Sequence, residues 1–84
     1  MAVTVKFFAG VREALGVSSE TLTLPDGVET VGALRDHLAA RGDQWRQALA
    51  SPALRMACNQ QMCGVDAAVV DGAEVAFFPP VTGG

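Results

Sequence analysis

Basic residues are few in this sequence. Its six lysines and arginines are outnumbered by nine aspartates and glutamates, which gives a formal net charge of −3. Nucleic-acid ligands need clustered lysine and arginine, so DNA and RNA are not expected partners. The chain also lacks an apolar run of about 18 residues, which excludes a membrane-spanning helix. The first residues, MAVTVKFF, contain no basic segment followed by a long apolar one, so no signal peptide is predicted and we expect a cytoplasmic protein.

Cysteine is equally scarce, since Cys58 and Cys63 are the only two in 84 residues. Two thiols do not make a disulfide scaffold, and thiols stay reduced in the cytosol. The C-x4-C spacing does not match the usual zinc-ligand pairs, and no second Cys/His pair follows it. We therefore interpret both cysteines as small apolar side chains, with a regulatory thiol as the alternative.

Residue types that perform catalysis are also rare. The single histidine, His37, lies beside the apolar stripe of a predicted helix, with no carboxylate or nucleophile at a fixed spacing. Ser18 and Ser19 lack a nucleophile-elbow motif, and the nine glycines form no phosphate-binding loop. The sequence therefore predicts that the chain has no active site of its own.

Alternating side chains predict a sheet of several short strands. Residues 2–8 and 18–24 alternate apolar and polar side chains, as half-buried strands do. Three further strands are predicted at 54–58, around Met62 and at 74–78. Pro79 and Pro80 end the last strand because proline has no N–H to donate to a neighbouring strand.

Helical patterns lie between these strands. Residues 9–15 predict a short helical turn that ends at Gly16. Thr30 is a suitable N-cap for the main helix, which we expect to end at Gly42, and Asp43 begins a second short helix. The apolar stripe of the main helix consists of Val31, Leu34 and Leu38. One sheet with one main helix packed across it is an α+β domain.

The phenylalanine doublets suggest a surface for a partner. By alternation, Phe7 and Phe77 point into the core, whereas Phe8 and Phe78 point to the opposite face. If the two strands are neighbours, the outward rings form an exposed apolar patch, which Met62 would extend. Such patches mark partner surfaces. The alternative is that loops of the chain itself cover the outward rings.

The last eight residues, FFPPVTGG, contribute little to a core. Pro79-Pro80 favours an extended backbone that leads the chain away from the sheet, and Val81 and Thr82 continue it. Gly83-Gly84 is narrow enough to enter a channel in another protein, and the terminal carboxylate is unhindered. A carboxylate is a poor electrophile, so chemistry at this position needs activation, for example by ATP to an acyl-adenylate. The alternative is an ordinary frayed terminus.

Several stretches together carry a family resemblance: KFFAGVRE, VGALRDHLAARGDQW, CNQ and DGAEVAFFPPVTGG. They resemble the ubiquitin-like β-grasp sulfur carriers, and especially the small subunits of molybdopterin synthases. The resemblance implies a mixed sheet with one main helix across it, a β-grasp domain over residues 1–80 and a flexible diglycine tail over 81–84. Cys58 and Cys63 belong to no pattern of that family.

The resemblance also implies a function. An E1-like enzyme would use ATP to adenylate the Gly84 carboxylate, and a sulfur donor protein would convert it to a thiocarboxylate. The tail, ending in Gly83 and Gly84, would then deliver sulfur to cyclic pyranopterin monophosphate in the large subunit of the synthase. No permanently bound cofactor or metal is implied, and a heterotetramer is the expected assembly. The implied partner-binding residues are Phe8, Met62, Phe78, Pro79, Pro80, Val81, Thr82 and Arg12.

Three other functions remain open at this point. The chain would serve thiamine synthesis or tRNA thiolation if it carried sulfur for another pathway. It would be a ubiquitin-like modifier if Gly84 were joined to lysine side chains. It would be a plain interaction domain if the diglycine had no chemical role.

Overall fold

A computed structural model describes residues 1–80 of the chain, and the predicted tail residues Val81, Thr82, Gly83 and Gly84 lie outside them. Five strands and three helices follow one another in the order expected from the sequence. They are β1 (Ala2–Phe7), α1 (Ala9–Leu15), β2 (Ser19–Thr23), α2 (Val31–Ala39), α3 (Asp43–Leu49), β3 (Arg55–Cys58), β4 (Gln61–Cys63) and β5 (Glu74–Phe78). The predicted α+β class is confirmed.

The five strands form one mixed sheet in the order β2-β1-β5-β3-β4. β1 and β5 are parallel neighbours, with Phe7 opposite Phe77, and the other pairs are antiparallel. The first and last strands of the described chain therefore lie together at the centre of the sheet. This arrangement is the mixed β-grasp sheet that the resemblance implied.

The core lies between the sheet and the helices. The predicted stripe of α2, Val31, Leu34 and Leu38, is completely buried. It packs against the inward side chains of the central strands, Val3, Val5, Phe7, Val75 and Phe77. The Thr30 side chain accepts a hydrogen bond from the Ala33 N–H at 3.1 Å, which confirms the predicted N-cap.

Several predicted boundaries are wrong. β2 and β3 are shorter than predicted, since Ser18, Leu24 and Leu54 lie outside them. β1 ends at Phe7, and Phe8 is the residue that precedes α1, with Ala9 at a positive φ of 51°. α2 ends at Ala39, and its last turn is completed by the Ala40 N–H on the Asp36 carbonyl. Gly42 therefore does not end α2; it directly precedes α3. Glycine is common on either side of a helix, so its position in the sequence did not decide which helix it serves.

Gly32 allows a close approach between α2 and the loop after β4. Its N–H donates to the Val65 carbonyl at 2.9 Å, and a Cβ at Gly32 would lie 2.9 Å from the Val65 Cβ. Because real Cβ atoms do not approach so closely, a side chain at this position would push the loop away from the helix.

We expect Gly32→Ala to lower the free energy of unfolding by about 1–3 kcal/mol, since overpacking outweighs the better helix propensity of alanine. Chemical denaturation would measure the loss. Gly10→Ala is the matched control, because a Cβ at Gly10 in α1 would meet nothing within 4 Å. The interpretation is wrong if both variants are equally stable.

A charged cluster connects β2 to the helical layer. The two guanidinium nitrogens Nη1 and Nη2 of Arg41 donate to the two carboxylate oxygens of Glu20 at 2.8 and 2.6 Å. The Arg41 guanidinium lies 4.6 Å from the ring centre of Trp45, whose ring packs edge-on against Phe7. The hydrogen bonds from Arg41 hold the pKa of Glu20 below its ordinary value of 4.5.

This lowered pKa predicts a pH dependence of stability. The ion pair contributes fully above pH 4.5, and its contribution is lost as the pH falls through the lower pKa of the folded state. We expect Glu20→Gln to lower the free energy of unfolding near neutral pH by about 0.2–1 kcal/mol, and less at acidic pH. Denaturation of both proteins across this pH range would reveal it. A difference that is constant with pH would contradict the assignment.

Candidate partner-binding surface and root of the tail

The two outward phenylalanines lie at the same end of the sheet, where the neighbouring strands β1 and β5 end. Phe7 and Phe77 are buried on the helical side, with their rings stacked at 6.2 Å. The next residues, Phe8 and Phe78, follow them side by side, and the Phe8 N–H donates to the Phe77 carbonyl at 3.2 Å. Phe8 is 46% exposed and Phe78 is half-buried. The parallel pairing thus places the two outward rings at one end of the sheet, although Phe8 itself has left the strand.

Met62 joins the same face from the edge of the sheet. Asn59 and Gln60 make the tight turn between β3 and β4 with positive φ values of 51° and 67°. Met62 then lies opposite Ala57, which lies opposite Ala76 on β5. Cross-strand partners share a face, so Met62, at 64% exposure, lies on the open face of the sheet.

We call this surface the open-face patch. Its members are Phe8, Ala57, Met62, Ala76 and Phe78. Ala57, which is buried, and the half-buried Ala76 lie on neighbouring strands between Met62 and Phe78. Lys6 and Glu74 form an ion pair of 3.7 Å on the same face and border the patch.

Two arginines flank the patch. Arg12 is exposed on α1, one turn after Phe8, and its N–H faces the Phe8 carbonyl at 3.4 Å. Arg55 is exposed at the start of β3, directly opposite Phe78. Arg12 was among the residues that the resemblance implied, whereas Arg55 was not predicted. The sequence signal for Arg55 is that it alternates with the buried Met56, which predicts that Arg55 points to the open face. Only the strand pairing places Arg55 beside Phe78.

Pro79 and Pro80 border a small apolar cavity. Pro79 is half-buried and Pro80 is exposed, and both follow directly from β5. The cavity beside them has a volume of about 150 Å³ and is lined by Gly10, Val11, Ala48, Ser51, Leu54, Pro79 and Pro80. A larger cleft of about 350 Å³ lies between α2, α3 and β3, and neither proline lines it. Pro79 and Pro80 therefore lie between the open-face patch and an apolar cavity.

The two thiols lie away from this surface. Cys58 pairs with Gln61 and Cys63 with Met56, so both side chains point toward the helical side of the sheet. Both are half-buried, and burial, together with the neighbouring Cys58, raises the pKa of the Cys63 thiol. A raised pKa lowers the thiolate fraction and hence the reactivity of Cys63.

Within residues 1–80, no group of three or more His, Cys, Asp or Glu side chains is placed to hold a metal ion. Among the same residues, none of the helices is both long and apolar enough to cross a membrane.

Comparisons with known proteins agree with the fold. A curated protein of Haemophilus influenzae, named molybdopterin synthase sulfur carrier subunit, is 46% identical over 98% of this chain and 99% of its own length. The crystal structure of small archaeal modifier protein 1 from Haloferax volcanii matches with a TM-score of 0.75 and 26% identity, covering 95% of this chain and 98% of that one. A chain in the complex of subunits 1 and 2 of the Helicobacter pylori molybdopterin-converting factor has the same fold, with a TM-score of 0.70, 21% identity and full coverage of both chains.

The sequence family gives the most direct assignment. Residues 5–84 match the ThiS family, and this range includes every member of the open-face patch and the whole C-terminal segment. A match over nearly the entire chain, together with the mixed sheet, leads to one conclusion: the chain belongs to the ThiS family.

Proposed function

We propose that this protein is the sulfur carrier subunit of a molybdopterin synthase. The observation that supports it most directly is the 46% identity, over nearly the whole chain, to a curated sulfur carrier subunit of that enzyme. The sequence FFPPVTGG adds a chemical argument, because the narrow, unhindered terminus is suited to chemistry in the pocket of another protein.

In this proposal, Gly84 carries the sulfur. An E1-like enzyme transfers AMP from ATP to the Gly84 carboxylate, which converts a poor electrophile into an acyl-adenylate and releases pyrophosphate. The outer sulfur of a persulfide on a donor protein then attacks the carbonyl carbon, and AMP leaves with the former carboxylate oxygen. A second thiol breaks the S–S bond of the resulting acyl disulfide, which releases the thiocarboxylate and leaves a disulfide on the donor side. Sulfur thereby takes the place of one oxygen in a thiocarboxylate. Gly83 supplies the narrow backbone that lets Gly84 reach the reacting groups.

The large subunit of the synthase is the proposed acceptor of the tail. Phe8, Met62 and Phe78 would dock on it, with Arg12 as a polar contact at the margin. The segment that enters the active site of the large subunit would begin at Pro79 and Pro80 and continue through Val81 and Thr82. The large subunit would then exclude water from the thiocarboxylate and supply hydrogen-bond donors for the developing charge. This division of labour explains why the carrier needs no acid–base residues of its own.

Two rounds of transfer to cyclic pyranopterin monophosphate would build the dithiolene of molybdopterin. The carrier would hold no permanent cofactor, because ATP is consumed by the activating enzyme. We place the cycle in the cytoplasm, and we propose a heterotetramer of two carriers on a dimer of large subunits. Residues 81–84 act in this proposal as a tail distinct from the domain of residues 1–80.

Protein modification is the second candidate function. It is favoured by the likeness to the archaeal protein that is named a modifier. Both functions begin with an activated terminal glycine. They differ in the attacking group, which is sulfur in a carrier and a lysine amine in a modifier.

Mass spectrometry of the C-terminal peptide separates the two candidates. The protein would be incubated with ATP, its E1-like enzyme and a sulfur donor, and then digested. We expect one oxygen-to-sulfur exchange on the C-terminal peptide, followed by its loss when the large subunit and cyclic pyranopterin monophosphate are added. Lysine adducts of other proteins, with no sulfur on Gly84, would refute the carrier proposal and support a modifier.

A further inference from the structure

Only some of the basic side chains take part in ion pairs within the described residues. All six basic side chains lie within residues 1–80. Four of them form ion pairs: Lys6 with Glu74, Arg35 with Asp36, Arg41 with Glu20 and Arg46 with Asp43. Among the described residues, Arg12 and Arg55 have no carboxylate within ion-pair distance. Both lie near the end of the sheet where β1 and β5 end.

The position of Arg55 is set by the strand pairing. It lies opposite Phe78, while the next residue, Met56, lies opposite Phe77 and is buried. Arg55 therefore points to the open face, beside the ring of Phe78. On β5, the acidic residue of that face is Glu74, four residues or about 13 Å along the strand from Phe78, and it already pairs with Lys6.

An exposed arginine in water needs no partner. The situation changes if a protein covers Phe78, because the neighbouring guanidinium then also loses water. A charge that is desolvated without a counter-charge is costly, whereas the planar guanidinium can hold a carboxylate with two hydrogen bonds. A partner that buries Phe78 must therefore present an acceptor to Arg55, and a carboxylate meets this need best.

We propose that Arg55 is a further partner-binding residue, and that the large subunit presents an aspartate or glutamate to it beside the site that receives Phe78. This inference rests on the proposed function, since it takes the large subunit as the partner. It adds a polar contact at the edge of the open-face patch, next to Phe78, to the contact that the resemblance implied for Arg12.

The test measures association and dissociation rates between the carrier and the large subunit at low ionic strength and at about 0.15 M salt. We expect Arg55→Gln to lower the association rate about three- to tenfold at low salt and to weaken its dependence on salt, because a steering charge is lost. Arg55→Lys keeps the charge and should keep the salt dependence, while dissociating faster because the two-pronged contact is lost. Arg46→Gln is the matched control, since Arg46 is exposed and pairs with Asp43 on α3.

The outcomes are distinct. If Arg55→Gln behaves like Arg46→Gln while wild-type binding is intact, the Arg55 proposal is overturned and the proposed function stands. If the wild-type chain does not bind the large subunit at either salt concentration, both proposals are overturned. Unfolding temperatures of all variants would exclude a loss of binding that arises only from a weakened β3.

Discussion

Removal of Gly84 should abolish sulfur transfer while leaving the fold intact. The shortened tail ends in Gly83, whose carboxylate lies one residue, or about 3.5 Å, short of the natural position. Misplacement of a reacting group by about 1 Å can cost a hundredfold in rate, so we expect a loss of about a thousandfold or more in thiocarboxylate formation. Single-turnover assays that follow the mass of the C-terminal peptide would measure it.

The control for this deletion is the stability of the domain. The core of the described chain extends only to Phe77, so the unfolding temperature should not change. Binding to the large subunit should weaken much less than transfer, because the open-face patch is retained. Sulfur transfer within about tenfold of the wild type would contradict the assignment of the chemistry to Gly84.

Replacement of Phe78 should weaken binding of the large subunit. Burying an aromatic side chain in a partner contributes about 1.5–3 kcal/mol. We therefore expect Phe78→Ala to weaken binding of the large subunit by roughly 10- to 100-fold. Isothermal titration calorimetry would measure the change. Phe8→Ala should weaken binding in the same way, since Phe8 is the more exposed of the two rings.

Phe77→Ala is the matched contrast, because it makes the same substitution one residue earlier on the opposite face of the sheet. Phe77 is completely buried and stacks on Phe7, so we expect a loss of about 3–5 kcal/mol in the free energy of unfolding. If Phe78→Ala destabilised the fold to the same extent, or left the affinity unaltered, the open-face patch would not be the binding surface.

Much of the fold could be predicted because its signals are local. The stripe of Val31, Leu34 and Leu38 repeats with the helical period, and it is buried as expected. Thr30 is an N-cap by its own chemistry, and the alternation of β1 and β5 correctly separates Phe7 and Phe77 from their outward neighbours. The boundary predictions that were wrong depend on weaker signals: alternation does not show that β1 stops before Phe8, and a glycine between two helices can serve either.

The sequence by itself determined the helical period, the strand alternation and the chemistry that a diglycine terminus permits, because each depends on neighbouring residues. Tertiary structure alone decided that β1 and β5 are parallel neighbours. This pairing brings Phe8 and Phe78, which are 70 residues apart in the sequence, to the same end of the sheet. Tertiary structure also placed Met62 on the same face, because Met62 lies opposite Ala57 and Ala57 lies opposite Ala76. The pairing of β3 with β5 placed Arg55 beside Phe78. Pairing and register depend on how the whole hydrophobic face is buried, so no local pattern specifies them.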